Sequence, residues 1–68
     1  MINGETLRRL RNLKGFTQTE AAKKLGISQT AYSRLEKSEW LQGEKLQSVL
    51  KALECTTTDL EKVLSMLN

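Results

Sequence analysis

The stretch from Thr17 to Lys37, TQTEAAKKLGISQTAYSRLEK, constrains this chain more than any other. Gln18, Ala22, Gly26, Ile27, Tyr32 and Leu35 fall where two short helices crossing at close range need particular sizes and backbone geometries. Thr17 can cap the first helix through its hydroxyl, and Glu20, three residues on, can reach back to complete a capping box worth about 1 kcal/mol. The helix therefore begins at Gln18. Ala22 lies one turn further along, on the inner face, where a methyl side chain lets a second helix come close. Gly26, after Leu25, can adopt the left-handed conformation that ends a helix and turns the chain. Ile27 is then expected to plug the turn into the core. Ser28 is a good cap for the next helix, whose buried stripe is Tyr32 and Leu35, three apart. Gln29, Thr30, Ser33, Arg34 and Lys37 are left facing outward.

With 68 residues the chain is expected to form one domain over 1–68, and a domain of this size buries only about 60% of the surface its unfolded chain exposes. The absence of proline, the aromatic content of 4% and frequent Leu, Lys, Glu and Ala favour a compact all-α domain. The net charge of +3 is unevenly divided: residues 1–37 carry eight basic against three acidic side chains, residues 38–68 three against five. A surface biased in this way attracts phosphate by counterion release, although an ordinary solvated helix surface also carries such charges. Its coincidence with the two-helix stretch favours nucleic acid.

Around that stretch, Asn3 is a plausible cap for a helix through Glu5 to about Lys14, with Leu7, Leu10 and Leu13 inward. Gly15 ends it, and Phe16 is expected in the core, stapled against Ala21. A further helix is expected from Gly43 or Glu44 to Leu53, with Leu46, Val49, Leu50 and Leu53 at helical spacing. Cys55, the single cysteine, reads as a small buried hydrophobe; with no histidine and no second cysteine, no metal site or internal disulfide is expected. Thr56 or Thr58 can cap a last helix to about Leu67, with Asp59 or Glu61 as partner. No histidine and no nucleophile–base set are present, so catalysis and cofactors are not expected. No apolar run nears the roughly 20 residues that span a bilayer and no signal peptide is evident, so a soluble cytoplasmic protein is expected.

The segments LRRLRNLKGFTQTEAAKKLGISQTAYSRLEK and LQSVLKALECTTTDL together resemble the Cro/CI (lambda-repressor-like) helix-turn-helix family of phage and bacterial regulators. The resemblance implies a compact five-helix domain with its helix-turn-helix at about 17–37, working in a bacterial cell or a phage-infected bacterium. In such domains the second helix of the motif enters the major groove with its N-terminal residues nearest the bases. That implies base contacts from Gln29, Thr30, Ser33 and Arg34, glutamine suiting adenine and arginine suiting guanine. Phosphate contacts are implied for Thr17, Gln18, Ser28 and Lys37, with Lys14 and Arg9 as further candidates. Arg11 is either a solvated base or, as the family suggests, the partner of Glu36 in a structural ion pair. The segment SEWLQG, 38–43, departs from the family pattern; Trp40 and Leu41 can cover the base of the core or form a subunit contact. In the last helix, Leu60, Val63, Leu64, Met66 and Leu67 either pack within the domain or form a dimer interface over 56–68.

The function implied is a sequence-specific DNA-binding transcriptional regulator, a repressor acting as a homodimer on a two-fold symmetric operator in double-stranded DNA. The competing reading is an antitoxin or other interaction protein whose main partner is a protein. A third is a helical scaffold that has lost DNA binding.

Overall fold

A computed structural model describes residues 2–39 and 41–66; Trp40 and Leu67, to which the sequence gives roles, lie outside the described residues. Five helices follow in order: α1 (Gly4–Lys14), α2 (Gln18–Leu25), α3 (Gln29–Glu36), α4 (Gly43–Ala52) and α5 (Thr57–Met66). The fold is all-α, and its one β-type contact among the described residues is an isolated antiparallel bridge between Ile2 and Leu41.

The first three helices begin where a short polar side chain captures an orphan backbone amide. The Asn3 side chain accepts from the Thr6 amide, and that of Ser28 from the Ala31 amide. Thr17 and Glu20 form a reciprocal capping box at the start of α2. Gly26, at φ 71°, takes the left-handed conformation that closes α2 and turns the chain directly into α3. Thr56 and Asp59 repeat the reciprocal arrangement before α5: the Thr56 amide donates to Asp59 Oδ2 at 2.9 Å and the Asp59 amide to Thr56 Oγ1 at 3.1 Å. Only α4 departs from this pattern, because its N-cap, Gln42, makes no side-chain capping bond.

Leu7, Leu10, Ala21, Ala22, Tyr32, Leu46, Val49, Leu53 and Val63 fill the core, with Phe16, Leu25, Leu35, Leu50, Cys55 and Leu60 packed partly buried around it. Burying one large aliphatic side chain stabilises by about 1.5–3 kcal/mol, so this cluster is what holds five short helices together. The methyl groups of Ala21 and Ala22 set the close approach of α2 to α3. Two residues expected inside are not. Leu13 is 43% exposed and Ile27 38% exposed. Leu13 lies about 60° around the helix from Leu10 and about 120° from Leu7, at the edge of the buried face rather than on it. Ile27 sits on the outer side of the turn, along a shallow groove with Leu25, Ala31, Leu35 and Val49.

Three buried residues were not expected from the pattern, Ile2, Gly4 and Thr6, while Leu41 takes the first of its two readings and is buried at the base of the core. Ile2 and Leu41 exchange backbone hydrogen bonds at 2.9 and 2.6 Å, which places both side chains in the core. The Gly4 amide donates to the Ser38 carbonyl at 2.9 Å. A Cβ on Gly4 would overlap the carbonyls of Leu35 and Glu36, so the start of α1 rests directly on the end of α3. The Thr6 hydroxyl donates to Asn3 Oδ1 at 3.0 Å and is thereby satisfied in its buried place.

Candidate nucleic-acid interface

Gln18, Gln29, Thr30, Ser33, Arg34 and Lys37 line a single cleft of about 350 Å³ where the start of α2 meets the outer face of α3. Two helical periodicities produce this grouping. On α3, Tyr32 and Leu35 turn inward, which leaves Gln29, Thr30, Arg34 and Lys37 exposed and Ser33 half-buried on the other side. The tight α2–α3 crossing then brings Gln18 alongside them. Among the described residues, the ion pairs engage Arg8, Arg9, Arg11, Lys14 and Lys24, whereas Arg34 and Lys37 belong to none. The cleft therefore carries two cations together with amide and hydroxyl groups, a set suited to base edges and phosphate.

One carboxylate braces it from behind. Arg11 Nε donates to Glu36 Oε2 at 2.6 Å and Arg11 Nη2 to Glu36 Oε1 at 3.3 Å, a two-point pair between α1 and the end of α3. The Glu36 side chain is only 4% exposed. Gln18 Nε2 donates to the same Oε1 at 3.0 Å, and Arg11 Nη1 donates to the Phe16 carbonyl at 2.9 Å. Burial pushes the Glu36 carboxyl up, but the hydrogen bonds from Arg11 and Gln18 outweigh it and hold the group below the usual glutamate range. Burial beside this carboxylate pushes the Tyr32 hydroxyl up, so it stays protonated. A buried ion pair is no assurance of net stability, since desolvation offsets much of the attraction. Its geometric effect is plain: α1, α2 and α3 meet at one side chain.

The residues expected at phosphate are placed differently from one another. In Thr17 the backbone N–H donates to Glu20 Oε1 and is committed to the cap, while the hydroxyl oxygen accepts from the Glu20 amide and keeps its own proton to give. The amides of Gln18 and Thr19, in the first turn of α2, are the orphan donors that a helix N-terminus offers an anion. Ser28 Oγ accepts from the Ala31 amide and keeps its own proton to give. Lys14 and Arg9 do not join the cleft. Lys14 Nζ lies 2.8 Å from Asp59 Oδ2, tying α1 to α5, and hydrogen bonding to Lys14 holds the Asp59 carboxyl at about 2. Arg9 Nε lies 3.3 Å from Glu5 Oε1, and the side chain borders a groove with Asn12, Leu13, Val63 and Met66.

The last helix divides the four described residues, Leu60, Val63, Leu64 and Met66, of the five named for a dimer contact. Val63 is 1% exposed and already belongs to the core of its own chain, because it faces α1, so it has no surface to offer a partner. Leu60 is half-buried against that core, while Leu64 at 40% and Met66 at 63% exposure stand open to solvent.

Two polar residues at or near this face were not singled out by sequence. The Thr19 hydroxyl donates to Gln29 Oε1 at 3.1 Å across the α2–α3 crossing. Its only signal was its place next to Gln18 at the start of a helix that must lie against α3. Lys24 sits with its ammonium 4.7 Å from the centre of the Phe16 ring and 3.4 Å from Glu54 Oε2, a solvent-exposed pair that offsets part of its charge.

Cys55 is half-buried against the core, and burial pushes its thiol up, which disfavours the reactive thiolate. Among the described residues no helix is long and apolar enough to cross a membrane, and no group of three or more histidine, cysteine, aspartate or glutamate residues is placed to hold a metal ion. Residues 7–60, most of the chain, match the helix-turn-helix family. No curated protein and no solved structure matches the chain.

Proposed function

Given that the chain belongs to the Cro/CI-type helix-turn-helix family of DNA-binding regulators, we propose that it is a sequence-specific transcriptional repressor acting as a homodimer on a two-fold symmetric operator. The observation that carries this reading is the cleft along α3, where Arg34 and Lys37, which form no ion pair among the described residues, stand beside Gln18, Gln29, Thr30 and Ser33. In this reading residues 1–68 act as one DNA-binding unit and α3 lies in the major groove. Arg34 donates twice to guanine, Gln29 addresses adenine, and Thr30 and Ser33 offer hydroxyls or a methyl to neighbouring bases. The Gln18 amide, Ser28 and Lys37 hold phosphates on either side, and α2 lies across the backbone.

The dimer rests on a smaller observation, the exposure of Leu64 and Met66 on α5, opposite in character to the charged surface of α3. Two copies joined there would present two recognition helices, and half-sites in an inverted repeat would then lie about 34 Å, one helical turn, apart.

Selection of binding sites from a random duplex library at moderate salt tests the reading. Enrichment of an inverted repeat is the expected result; retention without enrichment leaves only electrostatic binding, and no retention overturns DNA binding. On the selected operator, Arg34→Ala relaxes preference at one base pair by about 1–3 kcal/mol, while Lys37→Ala weakens all sequences together and lowers the salt slope by about one. Equal losses on every sequence in both variants would remove Arg34 from base reading.

A further inference from the structure

We propose that Tyr32 is a positioning residue for Gln18: its buried hydroxyl is a second donor to Glu36, and it replaces the Gln18 carboxamide there when that side chain turns to a DNA phosphate. The proposal rests on the reading of the α2–α3 cleft as the DNA-binding face and deepens it by giving one cleft residue two positions.

Gln18, the first residue of α2, lines the cleft and is also tied to the buried network behind it. Glu36 is held ionised by Arg11 and Gln18, and a carboxylate only accepts. The end of Gln18 turned towards it, 3.0 Å from Oε1, is therefore the NH2 group. An anion in the cleft calls for that same donor end, while the carboxamide oxygen repels it. The second hydrogen of Nε2 lies in the amide plane at a fixed angle to the first, so one position serves Glu36 and a phosphate together only where the phosphate lies in that plane. Elsewhere Gln18 has to leave Glu36. Oε1 would then keep only Arg11 Nη2 at 3.3 Å, a long contact for a charged pair. A buried acceptor left short of a donor bears its desolvation uncompensated.

Tyr32 can make good that loss. It stands four residues before Glu36 on α3, so the two share one face of the helix a turn apart. The residue is fully buried, and its hydroxyl makes no hydrogen bond of normal geometry among the described residues. Burial keeps the proton on that oxygen, which lies close enough to Glu36 and Arg11 to feel both charges. Buried polar groups without a partner are uncommon because they are unfavourable. Phenylalanine would fill the same place in the core without that cost. In the arrangement with Gln18 on Glu36 the hydroxyl thus adds nothing that a bare ring would lack. Its nearest acceptor is taken by a side chain that has a second place to go, and a hydroxyl proton rotates to suit whichever acceptor opens.

The test is a double-mutant cycle of Tyr32→Phe and Gln18→Ala, read by urea denaturation of the free protein and by affinity for the selected operator and for operators altered at each base pair. Alone, Tyr32→Phe leaves the urea midpoint unchanged or raises it, because it deletes an unpartnered buried hydroxyl. In the Gln18→Ala background, where Glu36 depends on Tyr32, the same substitution lowers the midpoint. On DNA, Gln18→Ala weakens every sequence alike. Tyr32→Phe also weakens every sequence alike, by roughly threefold to tenfold, the worth of one hydrogen bond, and has no effect on affinity once Gln18 is alanine. Equal effects of Tyr32→Phe on the midpoint with and without Gln18 overturn the proposal. So does an affinity that Tyr32→Phe leaves unchanged, the result if Gln18 bridges Glu36 and phosphate through its two hydrogens, and so does a loss confined to one base pair. If Gln18→Ala leaves affinity unchanged, the phosphate contact of Gln18 falls and the exchange with it. Failure of the parent chain to retain any duplex removes the reading of the cleft itself.

Discussion

The starts of α2 and α4 are both helix N-termini, yet they are held by different physics. At α2 everything lies within four residues: the Thr17 amide donates to Glu20 Oε1 at 2.9 Å, and the Glu20 amide returns to Thr17 Oγ1 at 3.1 Å. At α4 the cap residue Gln42 makes no such bond, and the chain before it is fixed from the far end of the sequence. The Gly4 amide donates to the Ser38 carbonyl, while Ile2 and Leu41 exchange two backbone hydrogen bonds. One boundary is written in adjacent side chains; the other exists only after the N-terminal residues have folded back. The first design places α2 against α3 with little dependence on the rest of the domain. The second closes α1 over the end of α3.

The long-range closure is the place where one substitution should do most harm. Gly4→Ala puts a Cβ into the carbonyls of Leu35 and Glu36, backbone atoms that cannot turn aside as a side chain can. Overpacking of this kind costs about 3 kcal/mol, a large part of the roughly 3–10 kcal/mol expected for a domain of this size. Urea denaturation should show the midpoint falling steeply, and the melting temperature should drop by more than about 10 °C. A variant within about 0.5 kcal/mol of the parent would show that α1 does not press on α3 in solution.

The local boundary should respond less. Thr17→Ala removes the hydroxyl of the capping box and should cost about 1 kcal/mol, with Thr17→Ser recovering most of it. The same urea titration reads both. A loss as large as that of Gly4→Ala would mean that the α2 cap supports the whole domain rather than one helix end, and the contrast between the two regions would disappear.

This difference also decides what could be read in advance. Asn3, Thr17, Ser28 and Gly26 were legible because each acts on atoms three or four residues away, where spacing is fixed by the helix itself. Ala22 and Tyr32 were legible from the size demands of a close crossing. Likeness to a family, rather than spacing, suggested that Arg11 and Glu36, twenty-five residues apart, belong together. Ile2 and Gly4 carried no local signal, because their burial depends on backbone contacts between the N-terminus and the 38–43 connection. Leu13 and Ile27 went the other way: periodicity gives the direction of an apolar stripe, not its width, which leaves Leu13 at the edge of the core, and the turn that was expected to carry Ile27 inward holds it on the outer side. At the candidate interface the outward set on α3 followed from its inward one. The holding bonds on Gln18 and Gln29 did not, since they depend on how α2 lies across the other helices.

The smallest effect belongs to Gln42, and it bears most directly on the contrast. If the start of α4 is fixed by the Ile2–Leu41 bridge and not by its own cap residue, then Gln42→Ala should leave stability within about 0.5 kcal/mol, as surface substitutions generally do. Gln42 is exposed and its side chain captures no amide, so truncation removes neither packing nor a hydrogen bond. Glutamine is not among the short side chains that capture a first-turn amide from the N-cap position, which accounts for the missing bond. The informative measurement is the comparison of Gln42→Ala with Thr17→Ala in one urea series. A difference of about 1 kcal/mol between them is expected, the usual worth of an N-cap bond. Equal losses would mean that Gln42 caps α4 in solution, and the start of α4 would then be a local boundary like the start of α2.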